Sequence, residues 1–193
     1  MSRQDGIEQA KKCIERGKMF LAKNDLDGFY TYLQHEISIG KLDPFFAPEV
    51  TFFLENCGIN TLANLKDGIV PMHFADAMGS SLPETMLTNG CLKFPSNIEF
   101  ISTESFCGQK ADGLDLRGVR WVDKNAFVSC RFNYIYIDDK AKYYTRGPLA
   151  SSTAGTIYVP KSMSEDVIKS TIANLYAKTE VVWNDNIERV ERY

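Results

Sequence analysis

Two hydrophobic periods divide the chain. Over the first third, apolar residues recur at helical spacing, and Ile7, Ala10, Ile14 and Leu21 predict a helix over 5–23 that Gly17 weakens in the middle. A better stripe follows in Leu26, Phe29, Tyr30, Leu33 and Ile37, capped by Asn24 or Asp25 and ended by Gly40 in a left-handed conformation. Pro48 suits a first helical position and predicts a third helix running to Gly58. Asn60 then caps a short turn through Leu62 and Leu65 that closes at Gly68.

From about residue 69 a longer period takes over. The pairs Leu92/Phe94, Leu114/Leu116, Ile135/Ile137 and Ile157/Val159 recur at steps of 22, 21 and 22 residues. Three more columns keep the same phase: Ile98, Val119 and Ala141; Ile101, Val122 and Tyr144; Phe106, Phe127 and Leu149. A unit this short cannot enclose a core of its own, so it must stack on its neighbours as one coil of a solenoid. Each apolar-x-apolar pair supplies a short strand that pairs in parallel with the next, and the Phe column closes the far side. Ile69 and Phe74 predict a divergent first coil, followed by an insertion around Gly79, Ser80 and Ser81. After Pro160, Ser164 caps a helix with the stripe Ile168, Ile172 and Leu175, and 179–183 predicts a last strand. The expected fold is an α/β solenoid: a helical unit over 1–67, then repeats with a C-terminal cap over 68–193. Both flanks are expected to cover the open ends of the array.

The repeat units closely resemble the BspA-type leucine-rich repeat family. The match lies in Leu92-Lys-Phe94-Pro95-Ser-Asn-Ile98-Glu-Phe-Ile101 followed by Ser105-Phe106-Cys107. It continues in Leu114-Asp-Leu116, Val119, Val122 and Asn125-Ala126-Phe127-Val-Ser-Cys130, and Thr156-Ile-Tyr-Val-Pro160-Lys161 resembles the way such arrays end. The resemblance covers about 69–183; Pro is missing after Leu116 and Ile137, and Leu149 stands where Phe is usual. It implies a short leucine-rich-repeat array with a parallel β-sheet, an N-terminal helical cap and a C-terminal capping helix. It also implies protein binding, with no catalytic residue attached to the repeat. Proteins similar to these are bacterial surface and adhesion proteins, parasite proteins and short phage-encoded proteins. The small number of coils resembles the short intracellular or phage-encoded type, which implies an inhibitor or adaptor acting on a host enzyme or defence complex.

Composition narrows the remaining classes. The 193 residues carry 22 basic and 25 acidic side chains, a net charge of −3, which disfavours nucleic acid as the main partner. No apolar run approaches the roughly 18 residues of a membrane span. The opening MSRQDGIEQAKK lacks the apolar core of a secretory signal. Five scattered cysteines without a CxxC predict reduced thiols in a cytoplasm, and two histidines leave little material for zinc. No cofactor is expected.

Strand alternation places the middle residue of each apolar-x-apolar triplet outward. The outward ladder is Lys93, Asp115, Tyr136 and Tyr158, flanked by Cys91, Gly113, Tyr134 and Thr156 on one side and by Pro95, Arg117, Asp138 and Pro160 on the other. Tyr and Arg are enriched in binding hot spots, so Lys93, Asp115, Arg117, Tyr134, Tyr136, Asp138 and Tyr158 are the candidate partner-binding residues. The plainer reading makes Tyr136 and Tyr158 a cross-strand pair that stabilises the sheet.

Two other classes compete. The helical unit would self-associate through Phe45, Phe46, Phe52 and Phe53 in a structural or assembly protein. Alternatively, Lys110, Arg117, Arg120, Lys124, Arg131, Lys140, Lys142 and Arg146, near Trp121, Tyr134, Tyr143 and Tyr144, would form a nucleic-acid patch, although interleaved Asp cancels much of its field. Catalytic candidates fall short. His35 reads as a solvated helix residue and His73 as a turn residue. Cys107 and Cys130 read as interior filler with no His at a defined offset. The stretch 151–155 lies in the turn before Ile157 without the Lys of a phosphate loop, and Asp138 and Asp139 lack calcium-loop spacing.

Overall fold

The computed structural model describes residues 2–47, 50–51, 61–65, 67–76, 82–139, 142–143, 147–173, 175 and 178–184. Helix α1 (Arg3–Leu21) begins two residues before the predicted start. The reason is a capping box: Ser2 Oγ accepts from the Asp5 N–H at 3.2 Å while Asp5 Oδ2 accepts from the Ser2 N–H at 3.0 Å. Gly17, which the sequence suggested as a weak point, is buried within the helix's packed face. Helix α2 (Leu26–Ser38) is capped by Asp25, which accepts from the Gly28 N–H at 2.9 Å. Ala10, Cys13 and Ile14 of α1 pack on Phe29, Leu33, Leu42, Phe46 and Val50 in a cluster of their own. The predicted helix over 48–58 and its successor cap at Asn60 fall outside the described residues, apart from helical Val50 and Thr51.

The remainder is a parallel β-solenoid of about four turns with a few helices. One sheet has four strands in the order β1 (Ile69–Val70), β4 (Phe100–Ile101), β6 (Trp121–Val122), β8 (Lys142–Tyr143). The second has six, in the order β10 (Glu180–Trp183), β9 (Thr153–Val159), β7 (Arg131–Tyr136), β5 (Gly113–Asp115), β3 (Cys91–Lys93), β2 (Leu87–Thr88). All pairings are parallel except the β2–β3 hairpin. The apolar columns stand in register as the period requires: Leu92 opposite Leu114, Leu114 opposite Ile135, Ile135 opposite Ile157 and Ile157 opposite Val181. The divergent first coil is present as β1, paired with β4, while the expected insertion at 79–81, and Ala141 and Tyr144 of the columns, lie outside the described residues.

Inside, Ile98, Val119, Ile101, Val122, Phe106, Phe127 and Leu149 are fully buried, with Phe106 and Phe127 stacked at 5.2 Å. A second column beside them is polar, and the hydrophobic pattern gave no sign of it. Gln109 Nε2 donates to the Ala75 carbonyl, Cys130 Sγ to that of Phe106 and Ser152 Oγ to that of Phe127. Each buried side chain thus satisfies a carbonyl of the preceding coil, where an unmet acceptor would be costly. Cys130 is therefore a hydrogen-bonding rung as well as filler, and burial pushes its thiol up to about 12.

Two corner positions also repeat. Glu104, Asn125 and Gly147 have φ of 54°, 57° and 71°, and Gly108, Ser129 and Ser151 have 72°, 59° and 58°. Left-handed residues at the same phase turn each coil at the same place. Strand β9 begins at Thr153, so 153–155 is strand rather than the turn expected from the repeat phase. Helix α3 (Glu165–Thr171) is capped by Ser164 and buries Ile168 on the solenoid core. The predicted last strand is β10, parallel to β9.

Candidate functional site

The outer face of the six-stranded sheet is built by register. Lys93, Asp115, Tyr136, Tyr158 and Val182 stand opposite one another across successive strands, and Tyr134 pairs with Gly113 and Thr156. Tyr136 and Tyr158 are stacked at 4.9 Å and 23°, and Tyr134 meets Tyr136 edge-on at 5.5 Å. Tyr136 and Tyr158 therefore cover part of one another's ring faces.

Gly113 allows this arrangement. A Cβ there would lie 2.2 Å from the Tyr134 ring, which therefore leans across the glycine toward buried Cys91. Burial, with a hydrogen bond to the Cys91 thiol, pushes the Tyr134 phenol up to about 12. Burial and neighbouring Tyr158 raise the Tyr136 phenol too, so both hydroxyls are neutral donors at physiological pH. Arg117 closes the other flank. Its Nε and Nη2 reach Asp115 at 2.8 and 2.6 Å, and its guanidinium lies 4.7 Å from the Tyr136 ring centroid. This bidentate bond to Asp115 holds the Arg117 pKa above its ordinary value.

The seven candidate residues therefore divide. Tyr134, Tyr136, Tyr158, Lys93 and Arg117 are part-exposed on one face. Asp115, outward in register, and Asp138, just past the end of β7, are buried at 8% and 5% exposure. Asp115 anchors Arg117, and Asp138 Oδ2 accepts from the Gly118 N–H. Their role is to brace the face. The basic tract is divided among faces: Arg120 pairs with Glu99 beside the four-stranded sheet, Lys142 lies over Trp121 there, Arg117 belongs to the tyrosine face, Lys110 and Arg131 stand side by side across a bridge between coils, and Lys140 and Arg146 lie outside the described residues.

A second constellation joins α1 to the first coils. Arg3 Nη2 lies 3.2 Å from Asp76 and 3.0 Å from His73 Nδ1, while Arg3 Nη1 lies 3.3 Å from Glu104. His73 Nδ1 is also 2.9 Å from Asp76, and Phe45 packs on the imidazole at 5.0 Å. His73 is thus an anchored turn residue with φ of 59°, and Phe46 is buried within the helical unit. Phe52 and Phe53 lie outside the described residues. Burial pushes the Asp76 carboxyl above its usual range despite Arg3 and His73. Beside the cluster is an open cleft of about 520 Å³ lined by Arg3, Lys11, Asp76, Cys107 and Gln109, so Cys107 is a half-buried wall residue rather than interior filler. Sequence reading missed this cluster because Arg3 and Asp76 are 73 residues apart in chemically ordinary contexts.

Among the described residues no three His, Cys, Asp or Glu side chains gather as metal ligands, and no helix is long and apolar enough to cross a membrane. The chain matches no family model, no curated protein and no solved structure.

Proposed function

We propose that the chain is a short leucine-rich-repeat solenoid of the BspA type, flanked by helical caps, that works as a non-catalytic protein-binding module. Its role is that of an inhibitor or adaptor on a partner protein, such as a host enzyme or defence complex if the chain is phage-encoded. The observation that carries this reading is the pre-ordered face of Tyr134, Tyr136, Tyr158 and Arg117. Each side chain is held by a neighbour before any partner arrives, so little rotamer freedom remains to be lost on binding. With the Tyr136 and Tyr158 faces turned to one another and Arg117 over Tyr136, the face offers ring edges and the neutral hydroxyls of Tyr134 and Tyr136, which suit a protein surface better than the broad ring faces a sugar or a base would require.

The test is affinity capture followed by a two-site comparison. Tyr136→Ala with Tyr158→Ala should reduce capture of a stoichiometric protein partner at least tenfold, about 1.4 kcal/mol. Phe100→Ala with Trp121→Ala, on the other sheet, should leave it within twofold. Full capture by the tyrosine double variant removes this face from the account.

A further inference from the structure

The six-stranded sheet ends on β10, and among the described residues no strand pairs with its outer edge. The Asn184 N–H bonds the Val159 carbonyl at 2.9 Å. Backbone groups alternate along a strand, so those of Glu180 and Val182 also turn toward β9, and those of Val181 and Trp183 turn away. The edge therefore offers two N–H and two C=O groups in an apolar setting. Val181 is only partly buried against the core, and Trp183 is 38% exposed although it stands opposite buried Val159. Such an edge is a template for another strand, and Glu180 is its one charged residue.

We propose that β10 pairs antiparallel with β10 of a second copy about a two-fold axis through Val182, fusing two six-stranded sheets into one. The register follows from two requirements. Residues opposite one another must lie on the same face, and the pairs that exchange hydrogen bonds must be those whose groups turn outward. Centred on Val182, Val181 stands opposite the partner's Trp183 in both halves, and all four outward groups on each edge are satisfied within the strand. Centring on Val181 or Trp183 carries the outer pairs beyond β10. The chosen register also sets Glu180 opposite Asn184 of the partner subunit, so no like charges meet. Val181 and Trp183 from the two copies then cover the exposed ends of both cores. On the outer face the tyrosine ladder continues through Val182 and the partner's Val182 into a second ladder. If that face binds proteins as proposed above, the dimer presents it twice and gains avidity for a partner with repeated sites. Pairing itself does not rest on that reading, and its test uses the chain alone.

Sedimentation or light scattering across a concentration series reads the assembly. The expected result is a mass rising toward twice the 21.8 kDa of the chain. Val182→Glu sets two carboxylates face to face on the axis and should give a monomer, as should Val182→Lys. Mixing the two should restore a dimer of one copy each, which a misfolded variant does not do. Val181→Pro, which removes an outward N–H while keeping the bonds to β9, should be monomeric with its melting temperature retained. A wild-type chain that stays monomeric throughout the series overturns the proposal, as does a Val182→Glu dimer as tight as wild type, or a charge-swapped mixture that stays monomeric. Loss of partner capture by the tyrosine variants with the dimer intact separates the two readings.

Discussion

Gly113 sets the candidate face through the side chain it lacks. Tyr134 occupies the space a Cβ would fill, and through Tyr134 the orientation of Tyr136 is fixed as well. Gly113→Ala should swing the Tyr134 phenol off Cys91, because a ring at the end of a side chain gives way more readily than backbone. The stability cost should be about 1 kcal/mol, and a chemical denaturation curve measures it. The diagnostic outcome is in the phenol: its pKa, followed by ultraviolet absorbance, should fall from about 12 toward the ordinary tyrosine value. A melting temperature well below wild type with an unmoved phenol would show that the ring stays and the sheet deforms.

Asp76 illustrates a second residue-scale effect of burial. Burial raises its folded pKa above the unfolded value, so it binds its proton more tightly when folded. The stability this contributes is present below the unfolded pKa and is lost as pH rises through the folded pKa. Asp76→Asn should therefore remove the fall in melting temperature that Asp76 contributes as pH rises from its unfolded to its folded pKa, while leaving Arg3 with His73 and Glu104 at neutral pH. A variant whose melting temperature changes with pH as the wild type's does over that range would place the titration elsewhere.

At the scale of elements, each coil depends on the next for most of its core. Phe106 and Phe127 stack at 5.2 Å, and Phe127 also meets Phe94 and Phe132 edge-on, so three coils share one aromatic layer. Phe127→Ala should cost about 4 kcal/mol in urea titration. Because stability in a stacked array passes through neighbours, the loss should lower unfolding of the whole solenoid in one transition. Retained cooperativity with a cost under about 1 kcal/mol would mean that the layer collapses to fill the space.

This scale also shows what the sequence disclosed. The apolar columns were legible because burial selects residue type directly, and Leu92, Leu114, Ile135 and Ile157 fall into register as spaced. The left-handed corners were not, since Glu104, Asn125 and Gly147 share a backbone conformation and no side-chain chemistry. The polar column Gln109, Cys130 and Ser152 was hidden for a related reason: an amide, a thiol and a hydroxyl serve one purpose, donating to a carbonyl one coil back. Asp115 stands in register with Lys93 and Tyr136, as alternation predicts, while Asp138 lies beyond the end of β7. Alternation could not report that Arg117 folds back over Asp115, or that Asp138 accepts from a turn one coil away.

On the scale of the molecule, two cores meet through a small polar junction. The helical cluster and the solenoid cluster are separate, and Arg3, His73, Asp76 and Glu104 with Phe45 bridge them. Leu62 and Leu65 pack on the solenoid side, so the chain commits to the second core before β1 begins. Both sheets carry an outer aromatic ladder, Tyr136–Tyr158 on one and Phe100–Trp121 on the other. They differ in setting: the first has an arginine held bidentately by buried Asp115, and Tyr134 and Tyr136 with raised phenol pKa values, whereas Arg120 beside the second pairs with exposed Glu99. The proposed function rests on that difference. Site-specific photo-crosslinking from two matched lysine positions tests it most directly, with one probe at Lys93 on the tyrosine face and one at Lys142 on the four-stranded sheet. The account predicts one stoichiometric partner band from the Lys93 probe and none from the Lys142 probe. The same band from both probes, or from Lys142 alone, would contradict it.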